Sequence, residues 1–175
     1  KRMMLCGACL LIIQALPAQT GAGLDPKLPG YFQLRSDQLK QYERSLLPKM
    51  NQYKQAADEL ADFGDHTAWV AHREANGLAE IHENWADLMF VISGEATLQV
   101  GGTLDSPFVE SPGELRAPLA TGGTTRVLRE GDVANVPAGV VHRFLVRDGS
   151  QITFFTMKIA NATIRKLSTT VTNEP

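Results

Sequence analysis

The chain has 175 residues, of which 43% are hydrophobic, and its formal net charge is -2 at pH 7. This length is sufficient for one domain with a buried core. The near-neutral charge, with no basic excess and no long charged run, argues against a nucleic-acid-binding protein and against a charged tail.

The first 22 residues have the pattern of a secretory signal peptide. The first two are basic, residues 3–16 are apolar apart from Gln14, and small residues follow at Ala18 and Ala22. This order is typical of a cleaved export signal. A retained membrane anchor is the alternative, but a span needs about 20 apolar residues and this run is shorter. The pattern predicts a secreted or periplasmic protein without stable membrane association after cleavage.

Both cysteines of the chain, Cys6 and Cys9, lie within this segment. Cleavage after Ala18 or Ala22 therefore leaves a mature protein without cysteine, which excludes disulfides, zinc–thiolate sites and thiol catalysis. Cleavage also removes the two basic residues at the start, so the formal charge changes from -2 to -4. The mature protein is expected to rely on packing alone for its stability.

A linker and an amphipathic helix are predicted for residues 23–64. The segment 21–30 is rich in Gly and Pro, and a helix is predicted over 36–63 from an apolar stripe at three- and four-residue steps. Ser36 is the expected N-cap and Gly64 the expected stop. Pro48 lies inside this span and is expected to kink the helix or divide it in two. The stripe consists of Leu39, Tyr42, Leu46, Met50, Tyr53, Ala57 and Leu60.

After Gly64 the sequence changes to short segments of β-forming residues between turn signals. This pattern predicts an all-β barrel or sandwich over residues 65–160. The Gly-, Pro-, Ser- and Thr-rich segment 101–125 is predicted as one long loop, and residues 161–175 as a polar C-terminal tail. The eight predicted strands are Thr67–Arg73, Leu78–His82, Asp87–Ile92, Ala96–Val100, Arg126–Leu128, Asp132–Val136, His142–Val146 and Gln151–Ile159.

Four side chains with metal-binding chemistry fall on or beside the predicted strands. Residues two apart on a strand share a face, so Glu80 and His82 point the same way. A closed barrel can bring them together with Asp87 and His142 on its inner wall. Two imidazoles and two carboxylates suit Fe(II), Mn(II), Zn(II) or Ni(II), with open positions for water or a substrate.

Two segments around these residues resemble the two motifs of the cupin superfamily. The first motif is His-x-His, four residues, Glu, six residues, Gly. When it is aligned on Gly94, its Glu falls at Asp87 and its two His positions fall at Glu80 and His82. The second motif is Gly, five residues, Pro-x-Gly, two residues, His. It is matched without gaps by Gly131, Pro137, Gly139 and His142.

The resemblance covers roughly residues 65–159 and implies a cupin-type double-stranded β-helix, a jelly-roll barrel, with an N-terminal helical segment. The first motif departs from the family pattern, because Glu80 replaces His and Asp87 replaces Glu. Both replacements keep an oxygen ligand, so the resemblance implies a divalent transition metal held by Glu80, His82, Asp87 and His142. The alternative is a metal-free pocket in which the two histidines only form hydrogen bonds.

Three functions from different classes remain open, because fold does not fix function. The first is a metal-dependent enzyme, such as a dioxygenase, isomerase or lyase, acting on a small organic substrate. Glu80 or Glu114 would then be the spare acid–base group. The second is a module that binds a small molecule or sugar without turnover. The third is a barrel kept mainly for its interface.

Two further features bear on access and assembly. The segment Gly113–Arg116 carries an acid and a base, and it either closes over the barrel mouth or forms a solvated loop. The strand predicted at Asp87–Ile92 carries Leu88, Phe90 and Ile92 on its outer face, and a strand that is apolar on both faces is usually covered on both. The available covers are the helical stripe and a second copy of the chain. The resemblance to cupins favours a homodimer.

Overall fold

The computed structural model describes residues 23–24 and 27–160 of the chain. The predicted signal peptide, residues 1–22, and the predicted tail, residues 161–175, lie outside the described residues. Both therefore stay predictions. Within the described part, no helix combines the length and the apolar character that crossing a membrane requires.

The described residues form mostly short strands, together with one α-helix and one 3₁₀ turn. In chain order these are β1 (Gly23–Leu24), β2 (Phe32–Gln33), α1 (Ser36–Leu46), the 3₁₀ turn (Leu47–Lys49), β3 (Gln55–Asp62), β4 (His66–Arg73), β5 (Ala79–His82), β6 (Trp85–Val100), β7 (Thr103–Asp105), β8 (Phe108–Ser111), β9 (Glu114–Ala117), β10 (Leu119–Thr121), β11 (Thr124–Arg129), β12 (Val133–Val136), β13 (His142–Leu145) and β14 (Ile152–Ala160). The all-β class with an N-terminal helical segment is confirmed.

The long strand β6 organises the main sheet. Eight strands follow the order β3-β4-β14-β6-β13-β5-β9-β8, and β11 and β12 also pair with β6. The first part of β6 pairs with β12 and β14, whereas its second part pairs with β11 and β13, always antiparallel. Because β6 exchanges one set of neighbours for another, the sheet curls into a half-barrel.

Gly94 lies where β6 passes from one set of partners to the other. Its φ is +76°, in the left-handed region that glycine adopts at little cost. A Cβ at this position would also overlap the carbonyl oxygen of Gln151. The glycine that ends the first motif is therefore required both by the backbone angle and by a close neighbour.

The α-helix is shorter than the one predicted from the apolar stripe. The α-helix ends at Leu46, the 3₁₀ turn containing Pro48 follows, and residues 55–62 form β3. The prediction of helix over 36–63 is therefore wrong beyond the 3₁₀ turn. Proline has no amide hydrogen for the helical ladder, and α1 ends just before it. Neither the expected kink nor the expected division into two helices occurs, because β3 follows the 3₁₀ turn.

Strand β3 forms from residues that favour helix in isolation. It pairs along β4, and its Ala56 and Leu60 pack into the cluster beneath α1. Tertiary packing therefore overrides intrinsic propensity, which is a weak influence of under about 1 kcal/mol per residue. The sheet consequently begins before residue 65. The N-cap is also displaced, because Arg35 takes that position, its N–H donates to Gln38 at 2.9 Å, and Ser36 is the first helical residue.

The prediction of one long loop over 101–125 is also wrong. This segment contains β7, β8, β9, β10 and the start of β11. Its glycines stand at tight turns: Gly102 precedes β7 and Gly113 joins β8 to β9, both with positive φ. The Gly-rich composition therefore marks several short hairpin-like connections.

Of the three apolar clusters among the described residues, one lies around Ala117 and the other two lie on opposite faces of the curled sheet. The inner one contains Met89, Phe144 and Phe154, and the outer one forms where Leu46 of α1 meets Val70 and Ile92. The helix covers only part of the outer face. Of the three outward residues of β6, Ile92 is buried, whereas Leu88 and Phe90 are 36% and 41% exposed.

Leu46 is the side chain that attaches α1 to the sheet. It is fully buried, so Leu46→Ala is expected to lower the free energy of unfolding by about 2–5 kcal/mol through lost burial and a residual cavity. The measurement is urea denaturation. The control is Leu47→Ala at the exposed neighbouring position, with an expected change within about 0.5 kcal/mol. Equal stability of the two variants would mean that α1 does not pack on the sheet.

Candidate metal centre

The four predicted ligands meet on the inner side of the sheet. Glu80 and His82 lie on β5, Asp87 lies near the start of β6, and His142 is the first residue of β13. Strand β13 pairs with β5 so that His142 stands opposite Glu80. All four side chains belong to buried residues. Two segments about sixty residues apart are thus joined at one place.

Each of the four side chains turns one atom toward a common centre. Oδ2 of Asp87 lies 3.2 Å from Nε2 of His82 and 3.3 Å from Nε2 of His142. Oε1 of Glu80 lies 3.3 Å from Nε2 of His142. Ligand atoms of Glu80, His82 and His142 all lie within 4.8 Å of one another, and Asp87 borders this group through both imidazoles. The shorter Asp87 side chain therefore still reaches the histidines.

The outer nitrogen of each imidazole is held by an acceptor. Nδ1 of His82 contacts the Glu114 carboxylate, and Nδ1 of His142 donates to the carbonyl oxygen of Val140 at 3.1 Å. A carbonyl or carboxylate oxygen only accepts, so Nδ1 carries the hydrogen in both rings. In the neutral imidazole, Nε2 then presents its lone pair to the centre, whereas a protonated imidazole donates from Nε2 to the Asp87 carboxylate and so lowers the pKa of that carboxyl. Nε2 of His142 has no hydrogen-bond partner among the described residues.

The second oxygen of each carboxylate is held by a cation. Nζ of Lys158 donates to Oδ1 of Asp87 at 3.1 Å. Arg116 contacts Oε2 of Glu80, while Nη2 of Arg73 lies 3.9 Å from Oε1 of the same carboxylate. Each of the four candidate ligands thus has one inward atom and one outer partner.

Burial and charge shift the pKa of three groups around the centre. Burial raises the pKa of the Asp87 carboxyl, but contact with the two imidazoles and the charge of Lys158 outweigh it and hold that pKa below its ordinary range. Burial lowers the pKa of Arg73 and of Arg116, each to about 10. Both guanidinium groups therefore stay charged at neutral pH.

Sequence reasoning missed the part that Glu114 and Arg116 play. Both interpretations of this segment as a loop are wrong, because it forms β9 and pairs with β5. In that pairing Glu114 stands opposite His82, and Arg116 stands opposite Glu80. The available signal was the alternation of Glu114 and Arg116 after a turn glycine, since residues two apart on a strand share a face.

No protein-family model and no curated protein matches the chain. Similar solved structures include an uncharacterized conserved protein with a double-stranded β-helix domain from Klebsiella pneumoniae, with 18% identity, a TM-score of 0.48, and 66% of this chain and 87% of that chain covered. The Cnp3 cupin domain of Schizosaccharomyces pombe has 13% identity, a TM-score of 0.45, and 65% and 66% covered. The polyketide cyclase RemF of Streptomyces resistomycificus has 16% identity, a TM-score of 0.43, and 61% and 65% covered.

The chain spans slightly less than two thirds of the length of the cyclase and of the Cnp3 domain. Structures described as cupin or double-stranded β-helix proteins are thus among those similar to this chain, as the sequence motifs predicted. Identities and TM-scores at this level say nothing about the activity of this chain. The fold itself follows from the strand pairing described above.

The ion pair of Lys158 with Asp87 is expected to be essential to the metal-free protein. Lys158→Met leaves a buried carboxylate without its cation, so it should lower the free energy of unfolding by about 3 kcal/mol or more. Asp87→Asn in the same chain should restore part of that loss. The measurement is urea denaturation in the presence of a chelator.

Lys49→Met is the matched control, because Lys49 pairs with Asp58 at 2.6 Å and is itself exposed. An exposed pair of this kind contributes under about 1 kcal/mol. Equal losses in the two lysine variants would show that the Asp87 pair behaves as a surface pair.

Proposed function

We propose that the protein binds one divalent transition metal ion inside the barrel, through Glu80, His82, Asp87 and His142, and acts there on a small organic molecule. From the predicted export signal, we propose that the protein acts in the periplasm or outside the cell. One observation carries the metal assignment: all four side chains turn one basic atom to the same centre and are fixed by a partner on the other side.

Four basic atoms in a buried space repel one another unless a positive charge lies among them. Here, Nε2 lone pairs and carboxylate oxygens approach to 3.2–3.3 Å. A metal ion supplies that charge, and Nε2 of His142, buried and without a hydrogen bond in the described chain, is free to bind it. A metal-ligating histidine usually donates its other N–H to a carboxylate or carbonyl, as His82 and His142 both do.

The donor set decides which ions fit and what they contribute. Two nitrogen and two oxygen ligands suit Fe, Mn, Zn or Ni. When bound, such an ion polarises a substrate oxygen or, with a redox-active metal, activates dioxygen. Glu114 and Arg116 keep His82 and Glu80 in the orientations that the ion requires. Because Glu80 belongs to the ligand set, the partly exposed Glu114 is the acid–base candidate.

The second candidate function is a metal-free barrel that binds a small molecule or sugar without catalysis. A specific observation favours it, because both inner carboxylates already have a cationic partner. Glu80 pairs with Arg116, and Asp87 pairs with Lys158. In this alternative a proton on an imidazole takes the place of the metal ion at the centre.

Elemental analysis separates the two functions. Protein purified from its native compartment should contain about one transition metal ion per chain. His82→Ala and His142→Ala should each empty the site, since each removes a nitrogen ligand. Glu114→Gln leaves all four metal ligands in place. It should still weaken metal affinity about 10- to 100-fold, because His82 is then held less firmly in its orientation.

His66→Ala is the matched control, because His66 stacks on Phe63 away from the centre. It should leave the metal content unchanged. Wild-type protein that takes up no metal on reconstitution would support the metal-free barrel instead. Full metal retention in the double variant His82→Ala/His142→Ala would exclude these ligands.

We also propose that the protein is a homodimer through the outer face of β6 and β12. Leu88 and Phe90 remain exposed there, and the exposed Val133 of β12 pairs with Phe90. The face left open by α1 is therefore apolar. A second copy of the chain is the proposed cover, since closed two-fold dimers are the commonest soluble assembly.

Light scattering tests this assembly. The wild type should show about twice the mass of one chain, and Phe90→Glu should be monomeric because it places a charge in the interface. Val109→Glu, at an apolar position on β8 that is 69% exposed, should remain dimeric. A wild type that is monomeric at high micromolar concentration would overturn the proposal.

A further inference from the structure

The guanidinium group of Arg73 lies beside the candidate metal centre, and one of its edges makes no hydrogen bond to the described residues. Its Nη1 contacts Gln55, and its Nη2 lies 3.9 Å from Oε1 of Glu80. Its Nε is buried and has no hydrogen-bond partner among the described residues. Nε and Nη2 form the side of the fork that binds a carboxylate through two parallel hydrogen bonds.

The position of the Arg73 guanidinium is set by its neighbours. Its Cζ lies 5.9 Å from the centre of the Phe144 ring, which suits a cation on an aromatic face. Gly77 provides the space beside it, because a Cβ at Gly77 would lie 2.8 Å from Nη1. The guanidinium is therefore directed to the side of Glu80 instead of extending into solvent.

The charges around the centre favour an anionic ligand. Four carboxylates and three cations surround it, namely Glu80, Asp87, Glu110, Glu114, Arg73, Arg116 and Lys158. These charges sum to -1, so a bound divalent ion would leave the site with one excess positive charge. A buried anion offsets such an excess.

We infer that Arg73 binds a carboxylate group of the small molecule on which the protein acts, next to the proposed metal ion. The inference rests on the proposed function and narrows its substrate class to small carboxylic acids. The planar guanidinium fork matches a carboxylate in shape and charge, which an ammonium group does not. A buried donor without an acceptor is costly, and the ligand supplies that acceptor.

Calorimetric titration of zinc-reconstituted protein with acetate tests this inference, with the metal content of every sample measured in parallel. Acetate should bind, whereas acetamide, its neutral isostere, should not. Arg73→Gln should weaken acetate binding about 10- to 100-fold, the effect of removing a charged hydrogen-bonding partner. Its zinc content should equal that of the wild type, because Arg73 is not a ligand. Arg126→Gln, at an exposed strand position outside the site, should bind acetate as the wild type does.

Gly77→Ala provides a second variant that keeps the charge but displaces the guanidinium, and it should also weaken acetate binding. It decides the question if Arg73→Gln does not fold. Unchanged acetate affinity in a folded, zinc-loaded Arg73 or Gly77 variant would overturn the inference and leave the metal assignment standing. Wild-type protein that takes up no zinc would overturn the proposed function and this inference with it.

Discussion

The mutual repulsion of four basic atoms in a buried space is the constraint on which this barrel depends. Imidazole nitrogens and carboxylate oxygens lie 3.2–3.3 Å apart here, and burying such groups together is costly without a positive charge close to them. Outside the cluster, a carboxylate, a backbone carbonyl and two cations hold the four side chains in their orientations. The outer partners come from β9, β14 and the segment before β13, so the polar centre ties together strands that the apolar core alone would not align.

The same constraint explains which parts of the site could be predicted from the sequence. Glu80, His82 and His142 stand in motif positions, and the alternation of side chains on a strand is enough to place Glu80 and His82 on one face. His142 joins them through the pairing of β13 with β5. Their outer partners have no such signature. Arg73 and Lys158 are isolated basic residues within apolar strands, and the sequence does not say which carboxylate each will meet. That depends on the pairing of β4, β6 and β14, which is set by the whole sheet.

The fold was predictable where local signals and tertiary packing agree. Six strands, β4, β5 and β11 to β14, begin and end within two residues of predicted segments, because β-branched and aromatic residues alternate there between turn signals. The two strands predicted at Asp87–Ile92 and Ala96–Val100 are instead one continuous strand, β6. Prediction failed at β3, whose Ala, Gln and Glu residues favour a helix. There, pairing with β4 at the sheet edge and packing against α1 outweigh that preference. It failed again at β7 to β10, whose strands are too short for a periodic pattern to show.

Strand β6 also limits how this protein can vary. Asp87 faces the centre, and its neighbour Leu88 faces the outer surface; the same strand continues through Gly94 to residues that pair with β11 and β13. If one residue were inserted between Asp87 and Gly94, the side chains on one side of the insertion would point to the opposite face of the sheet and lose their present neighbours. The turns at Ser106 and Gly122 carry no such requirement, because they are exposed. Strand β9 keeps its register, because Glu114 and Arg116 stand opposite His82 and Glu80. Among proteins related to this one, insertions and deletions are therefore expected in the exposed turns after Val100, while the number of residues in β6 stays the same.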